Sequence, residues 1–211
     1  MRTQFAPVQA DASSHDCTLA TANRHVYAVH MARLVYTGLV SLDGYINDVD
    51  GHFDWAEPSE EIHQFANDLD RGIGTHVNGR KLYETMVFWE TMPPAEPVMN
   101  DYAEIWRSAE KVVISTTLED VASARTTLLR EFSPEWLAEL KATASRDISI
   151  GGPTLAAQAF DLIDDLHMLV YPVVVGGGTR FLPDGATANF ALVGSHTFQN
   201  GVIHLHYRKD A

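Results

Sequence analysis

Three short stretches of this 211-residue chain carry residue types suited to holding phosphate. Gly79-Arg80-Lys81 sets two cations directly behind a glycine, and Ser115-Thr116-Thr117 is a run of three hydroxyls. Gly151-Gly152-Pro153 offers two residues without side chains, where another molecule can lie close to the backbone, and then a proline. Proline suits a first helical position because its φ is already set and its missing N–H had no helical partner. A helix start behind the glycines presents free N–H groups and the positive end of the helix dipole, a natural phosphate seat. The plainer alternative for Gly151-Gly152 is a tight turn that binds nothing. One cationic, one hydroxyl-bearing and one glycine-rich turn together suit a phosphorylated dinucleotide with an extra ribose phosphate.

These turns need strands to end at them and helices to leave them. Arg33 to Leu42 reads as a buried strand closed by Asp43-Gly44, and a long loop from Gly44 to Pro58 follows. Ser59-Glu60-Glu61 opens a helix with acids in its first turn and an apolar face at Ile62, Phe65, Ala66 and Leu69. Thr75–Asn78 is a short strand running into Gly79, with a helix expected over Leu82–Trp89. Tyr102–Ala109 reads as a helix, Lys111–Thr117 and Ala124–Phe132 as strands, and Pro134–Thr143 as a helix capped by Ser133. Asp147–Ile150 is a strand, 154–163 a helix, and Leu166–Val175 an almost unbroken apolar strand. Asn200-Gly201 between Phe190–Phe198 and Val202–Tyr207 is a strong hairpin signal. Alternating strands and helices with an antiparallel end predict an α/β fold in three layers, a mostly parallel central sheet with helices on both faces.

Residues 1–30 have no sustained period and read as an N-terminal extension, expected to be mobile, with Met31 opening the folded domain. An arm packed on a partner subunit is the alternative, for which Val26, Tyr27 and Val29 leave room. A net charge of −13, from 15 basic and 28 acidic residues, argues against non-specific nucleic-acid binding. One cysteine, Cys17, rules out an internal disulfide and points to a reducing compartment, and no apolar run is long enough to span a membrane. The first thirty residues lack a signal-peptide core, so the cytoplasm is expected. His204 and His206 share a strand face but lack a nearby third ligand, and no metal is expected. Gly176-Gly177-Gly178 is either a phosphate loop or a turn between strands. Tyr171 reads as a core residue or, from mid-strand, a substrate contact.

Gly79-Arg80 after a strand, Ile150-Gly151-Gly152 before a helix, Thr179-Arg-Phe-Leu-Pro-Asp184, and Trp55-Ala-Glu-Pro58 before the acidic helix occur in an order that resembles the dihydrofolate reductase superfamily. The branch is that of the C-terminal reductase domain of the bifunctional riboflavin-biosynthesis deaminase/reductase, over residues 32–208. The resemblance implies NADPH as cofactor. Arg80 would then hold the 2′-phosphate with Ser115 and Thr116. Lys81 and the helix start after Gly79 would face the phosphates. Gly151 and Gly152, joined by a cis peptide, would lie on the pyrophosphate, with Pro153, Thr154 and Leu155 opening the helix behind them. Backbone groups of Leu39 and Ile46 would meet the nicotinamide carboxamide, and the 44–58 loop would close over the ring.

Trp55, Phe65 and Tyr171 would face the substrate. Counting from Trp55-x-x-Pro58 puts the proton-donating carboxyl at Glu60, and counting back from Phe65 puts it at Glu61. Such a carboxyl in an apolar cleft would have a raised pKa. The alternative is that both acids face water at the helix start. His63 could substitute, and Asp43 closes the first strand as in the riboflavin branch, unless it is a simple turn former. The implied activity is NADPH-dependent hydride transfer to a C=N or C=O carbon of a pterin or ribosylamino-pyrimidine. Dihydrofolate reductase activity is one alternative, and a non-catalytic NADP-binding sensor or interaction protein is another. A homodimer built through the last strands is also implied. The riboflavin branch's Asp-Asp-Pro is absent; Gly79-Arg-Lys-Leu-Tyr-Glu-Thr85 stands there, closer to the folate enzymes.

Overall fold

Strand β1, Leu34–Ser41, runs through the interior of an eight-stranded sheet. The chain is described here by a computed structural model covering residues 31–210, so the extension expected over 1–30 lies outside the described residues. The other strands are β2 (Ile73–Gly79), β3 (Glu110–Ile114), β4 (Thr126–Leu129), β5 (Asp147–Gly151), β6 (Asp165–Tyr171), β7 (Phe190–Thr197) and β8 (Ile203–Lys209). They lie in the order β4-β3-β2-β5-β1-β6-β8-β7. The first six are parallel, and β8 and β7 form the antiparallel hairpin. The three-layer α/β expectation holds.

Helix α1 (Glu60–Asp70) starts where the Ser59 hydroxyl accepts from Ile62 N–H, and α5 (Pro134–Thr143) where the Ser133 hydroxyl accepts from Trp136 N–H. Between them come α2 (Arg80–Met86), α3 (Phe88–Thr91) and α4 (Pro97–Ser108), and α6 (Pro153–Gln158) follows β5. The single helix expected over 82–89 is two short ones meeting at Val87. The expected 154–163 helix closes after Gln158 into a 3-10 turn over Phe160–Leu162. Strand β6 stops at Tyr171, before Val175, because Pro172 has no N–H for the ladder and Val173 N–H turns back to the Tyr171 carbonyl at 2.8 Å.

Alternation along β1 divides the core. Leu34 and Tyr36 bury with Ile148, Ile150, Leu137 and Leu155 beneath α5 and α6. On the opposite face Leu39 joins Ile62, Phe65, Leu169 and Phe198 beneath α1. Tyr83, Trp106 and Val113 form a third cluster where α2 and α4 meet the sheet. Lys111 is fully buried, and its ammonium donates to the Trp106 and Ala109 carbonyls at 2.9 and 3.1 Å, a cation set at the C-terminus of α4. The apolar strand β6 is interior, between β1 and β8, and the sheet's edge at the C-terminal end is β7, with Leu192 and Val193 exposed.

His204 and His206 do share a face, and a third histidine joins them from β6. His167 Nδ1 lies 2.9 Å from His204 Nε2, and the His167 ring stacks on His206 at 4.1 Å. Phe65 of α1 covers His204, with ring centroids 4.6 Å apart. His206 Nε2 lies 2.7 Å from Asp165 Oδ1, which also accepts from Arg208 at 2.9 Å. Burial opposes ionisation of Asp165, but these bonds outweigh it and lower its pKa.

Burial, with His206 nearby, pushes His167 and His204 each down from 6.5 to about 4. The unfolded chain therefore binds protons that the folded one refuses between about 6.5 and about 4, and stability is lost as pH falls through that window. The melting temperature should drop between about pH 7 and about pH 5. Circular-dichroism melts check it; an unchanged midpoint would exclude a neutral histidine pair.

Candidate active site

The C-terminal ends of the parallel strands bring the three turns to one edge of the sheet. Gly79 pairs with Ile114, and Asn78 with Gly151, so the ends of β2, β3 and β5 are level. Gly152, at φ 93°, caps the start of α6, and a side-chain carbon on it would lie 3.8 Å from Gly79 N. The two glycine turns thus lie backbone against backbone. The cis peptide expected here is absent: all peptide bonds of the described residues are trans, and the positive φ of Gly152 makes the turn. Gly151 serves packing, because a side-chain carbon there would run into Leu82 of α2 and reach within 2.8 Å of Asn78 Oδ1. Pro153 occupies the first turn of α6, Thr154 is exposed, and Leu155 is buried with its N–H on the Gly152 carbonyl at 3.1 Å.

Arg80 joins two of the turns. Its Nε donates to Glu84 at 2.7 Å and its Nη1 to the Thr117 hydroxyl at 2.7 Å. Ser115 is not the outward hydroxyl expected. It is buried, and its oxygen accepts from the N–H groups of Thr117 and Leu118 at 3.2 and 3.0 Å, which folds the loop. Thr116 and Lys81 are exposed at this edge. A cation missed in the sequence, Arg130, follows β4 and donates to the Ser115 and Glu119 carbonyls at 3.4 and 3.3 Å. The sequence places it inside the strand expected over Ala124–Phe132, which ends instead at Leu129. Asn78, also missed, is buried at the end of β2 with its amide nitrogen unpartnered.

The end of β1 is fixed by a segment from far along the chain. Asp43 accepts from the Ser41 hydroxyl at 2.7 Å and from the N–H groups of Val175 and Gly176 at 3.2 and 2.8 Å. The Ser41 bond leads these in holding its carboxyl below the ordinary range. Asp43 is therefore a clamp. Ile46 N–H donates to the Thr179 carbonyl at 2.9 Å. Leu39 packs beside Trp55 and Val173. Gly176–Gly178 is a turn packed on the 44–58 loop: Gly178, at φ 128°, lies so close to the Asn47 and Asp48 carbonyls that no side chain fits. Thr179 N–H completes the contact on Asn47 Oδ1 at 2.9 Å.

Beyond β1 a cavity of about 310 Å3 opens between the 44–58 loop, the end of β6 and the hairpin tip. Trp55 and Tyr171 line it with rings in edge contact, centroids 5.8 Å apart. Glu57, Pro172, Val173, Asn200 and Val202 complete the wall. Trp55 Nε1 and the Tyr171 hydroxyl are buried and unpartnered. Phe65 is not in this wall; it packs edge-on against Phe198, centroids 5.3 Å apart. Neither Glu60 nor Glu61 occupies an apolar cleft, since α1 begins at the surface and both are exposed. Glu61 is drawn to the hairpin, 3.4 Å from Gln199 N and 4.0 Å from His196 Nε2. Glu57 was overlooked although it stands inside the Trp55–Pro58 motif.

The family model of the RibD C-terminal domain matches residues 32–204. The chain belongs to that family. The uncharacterized protein YyaP of Bacillus subtilis (strain 168) is 27% identical over 184 residues, 83% of this chain and 94% of its own length. A pyrimidine reductase-like protein from Corynebacterium diphtheriae superposes with a TM-score of 0.60 at 15% identity, over 85% of this chain and 92% of its own. A dihydrofolate reductase from Enterococcus faecalis, complexed with NADP(H), superposes with a TM-score of 0.57 at 13% identity, over 86% of this chain and 98% of its own. The RibD family and the dihydrofolate reductase fold expected from the motifs are both found. Among the described residues no helix is long and apolar enough to cross a membrane.

Gly178 holds the 44–58 loop against the end of the sheet. Gly178→Ala should therefore cost about 2 kcal/mol or more, from backbone strain and overlap with rigid carbonyls. It should also speed proteolysis within 44–58. A denaturation midpoint equal to the parent's would show that the two loops do not depend on this contact.

Proposed function

We propose that the chain is an NADPH-dependent reductase that passes hydride to an electrophilic C=N or C=O carbon of a small heterocyclic substrate. The observation that carries this reading is the meeting of the Gly79 and Gly152 turns beside the Arg80–Thr117 pair, across the sheet from the Trp55–Tyr171 cavity. The residues fit the cofactor. The glycine backbones give a phosphate close approach, Arg80 keeps Nη2 free of hydrogen bonds among the described residues, and the Asn78 amide lacks a partner. Membership of the RibD family adds support.

When bound, NADPH supplies the hydride. The chain supplies position and shelter. Arg80, with Lys81 and Thr116 nearby, would hold the 2′-phosphate, and Gly79 and Gly152 would flank the pyrophosphate. The Ile46 carbonyl and the β1 backbone at Leu39 would receive the carboxamide. Of the carboxylates expected to deliver the proton, Asp43 is committed to its clamp and Glu61 to the hairpin. The cytoplasm, where NADPH is plentiful and Cys17 stays reduced, is the proposed compartment.

We further infer a homodimer through β7. This edge strand exposes Leu192 and Val193 beside its unpaired backbone, a surface that soluble proteins cover.

Three outcomes follow from these assignments. Arg80→Ala should weaken NADPH about 10- to 150-fold more than NADH, the equivalent of about 1.5–3 kcal/mol for a charge-assisted contact. Equal losses for both cofactors by titration would remove Arg80 from the 2′-phosphate. Gly152→Val should abolish NADPH binding in a protein that still folds, because its side chain would fill the space beside Gly79; retained affinity would refute the pyrophosphate seat. A chain beginning at Met31 should keep the dimer mass in light scattering. A monomer there, with a dimer for the full chain, would make residues 1–30 a swapped arm.

A further inference from the structure

We propose that Arg130 is a positioning residue for cofactor choice: by gathering the carbonyls of the 115–119 turn it sets Thr117 to hold Arg80 ready for a ribose 2′-phosphate. This rests on the reductase reading and deepens its cofactor side. Arg130 follows β4, and its guanidinium donates to carbonyls along a single turn. Nη1 donates to Ser115 at 3.4 Å and also to Leu118, and Nη2 donates to Glu119 at 3.3 Å. Two nitrogens on one rigid plane thus fix both ends of the turn.

The turn is tied from within and from its far side as well. The Ser115 oxygen accepts from the N–H groups of Thr117 and Leu118, and Ser115 N–H donates to the Leu129 carbonyl at 2.9 Å, beside Arg130. Leu118 packs against the cluster of Tyr83, Trp106 and Val113. Further along, the Tyr83 hydroxyl of α2 accepts from Ala122 and Ser123 N–H at 2.8 and 3.1 Å. Arg130 therefore holds the near end of this loop and α2 the far end, and Thr117 is carried between them.

Thr117 Oγ1 accepts from Arg80 Nη1 at 2.7 Å, while Glu84 takes Nε at 2.7 Å. The Arg80 side chain is 46% exposed, and an arginine free in solvent loses rotamer entropy when it grips an anion. Held by Thr117 and Glu84, Arg80 is ordered before the phosphate arrives. A nucleotide without a 2′-phosphate makes no use of that order. Slackening of the turn should thus be felt by NADPH and not by NADH. The role is geometric rather than electrostatic, because Arg130 commits its donors to backbone carbonyls. A lysine there would keep the charge but offer one nitrogen, which cannot fix both ends of the turn.

Calorimetric titration of the full chain with NADPH and with NADH tests this. Arg130→Lys and Arg130→Met should each lower the preference for NADPH over NADH about three- to tenfold, as expected for ordering one long side chain, with NADH affinity unchanged. Thr117→Val should lower the preference similarly, and adding Arg130→Lys to it should lower it by less than about twofold more, since both act along one route. Amide hydrogen exchange should quicken within 115–119 in the Arg130 variants and stay the same elsewhere. Full preference in Arg130→Lys would make charge the agent. Equal weakening of both nucleotides would make the residue purely structural, and losses that multiply in the double variant would put the two residues on separate routes. Each of these overturns the proposal, as does an unmoved preference in Thr117→Val, whether or not the Arg130 variants fold. A parent with no preference for NADPH rejects the cofactor reading and this one with it. A parent that prefers NADPH, with the ratio kept in both Arg130 variants, rejects this one alone.

Discussion

Backbone contact between the turns at Gly79 and Gly152 is the constraint on which the cofactor side of this structure depends. Strand β5 enters the sheet between β2 and β1, so its closing turn has to pass directly beside the one that ends β2. Side chains at 151 would run into Leu82, and at 152 they would strain a backbone held at φ 93°. Without them Leu82 of α2 settles over Gly151, and α2 leaves β2 with Arg80 aimed along the sheet edge to Thr117. Arg130 then ties the loop after β3 from the far side. An anion-binding edge results from topology and close packing before any ligand arrives.

On the other side of β1 the same sheet is completed by residues from the end of the chain. Phe181 stacks on Tyr36 at 4.3 Å, beneath the end of β1, and its carbonyl accepts from the Tyr36 hydroxyl at 3.1 Å. Asp43 and the Gly178 contact then fix the 44–58 loop from below, and the β7–β8 hairpin brings Asn200 and Val202 to the cavity wall. The cavity therefore exists only when the chain's first and last folded segments are docked. Its shape reports on the integrity of the whole domain, whereas the glycine edge is assembled from β2, β3 and β5.

This division also explains what could be read from the sequence. Gly79-Arg80, Gly151-Gly152, Ser133-Pro134 and Asn200-Gly201 are local turn and cap signals, and each lies where expected. The partners of Ser115, Glu61 and His204 were missed for a common reason. Their partners, the Leu118 N–H, the hairpin and His167, are set by folding across loops and strands. Spacing along one strand showed that His204 and His206 share a face, but not that β6 would lay a third histidine and a buried aspartate beside them. Phe65 read as a ligand contact because an aromatic on an amphipathic helix looks the same whether it faces a cleft or a core.

The electrostatics of the chain fit this architecture. At a net charge of −13 the protein as a whole repels a polyanionic cofactor, so attraction must be local. Charges further away than a Debye length, about 8 Å at physiological salt, are largely screened. What a bound phosphate experiences is the cluster of Arg80, Lys81 and Arg130 at one edge, while the acids elsewhere act weakly. Across the sheet, about 14 Å from β2, the cavity is beyond the reach of that cluster, and its own Glu57 sets the sign of the field there. One sheet edge can thus favour an anion at one end without doing so at the other, because the three strand spacings between them exceed the screening distance.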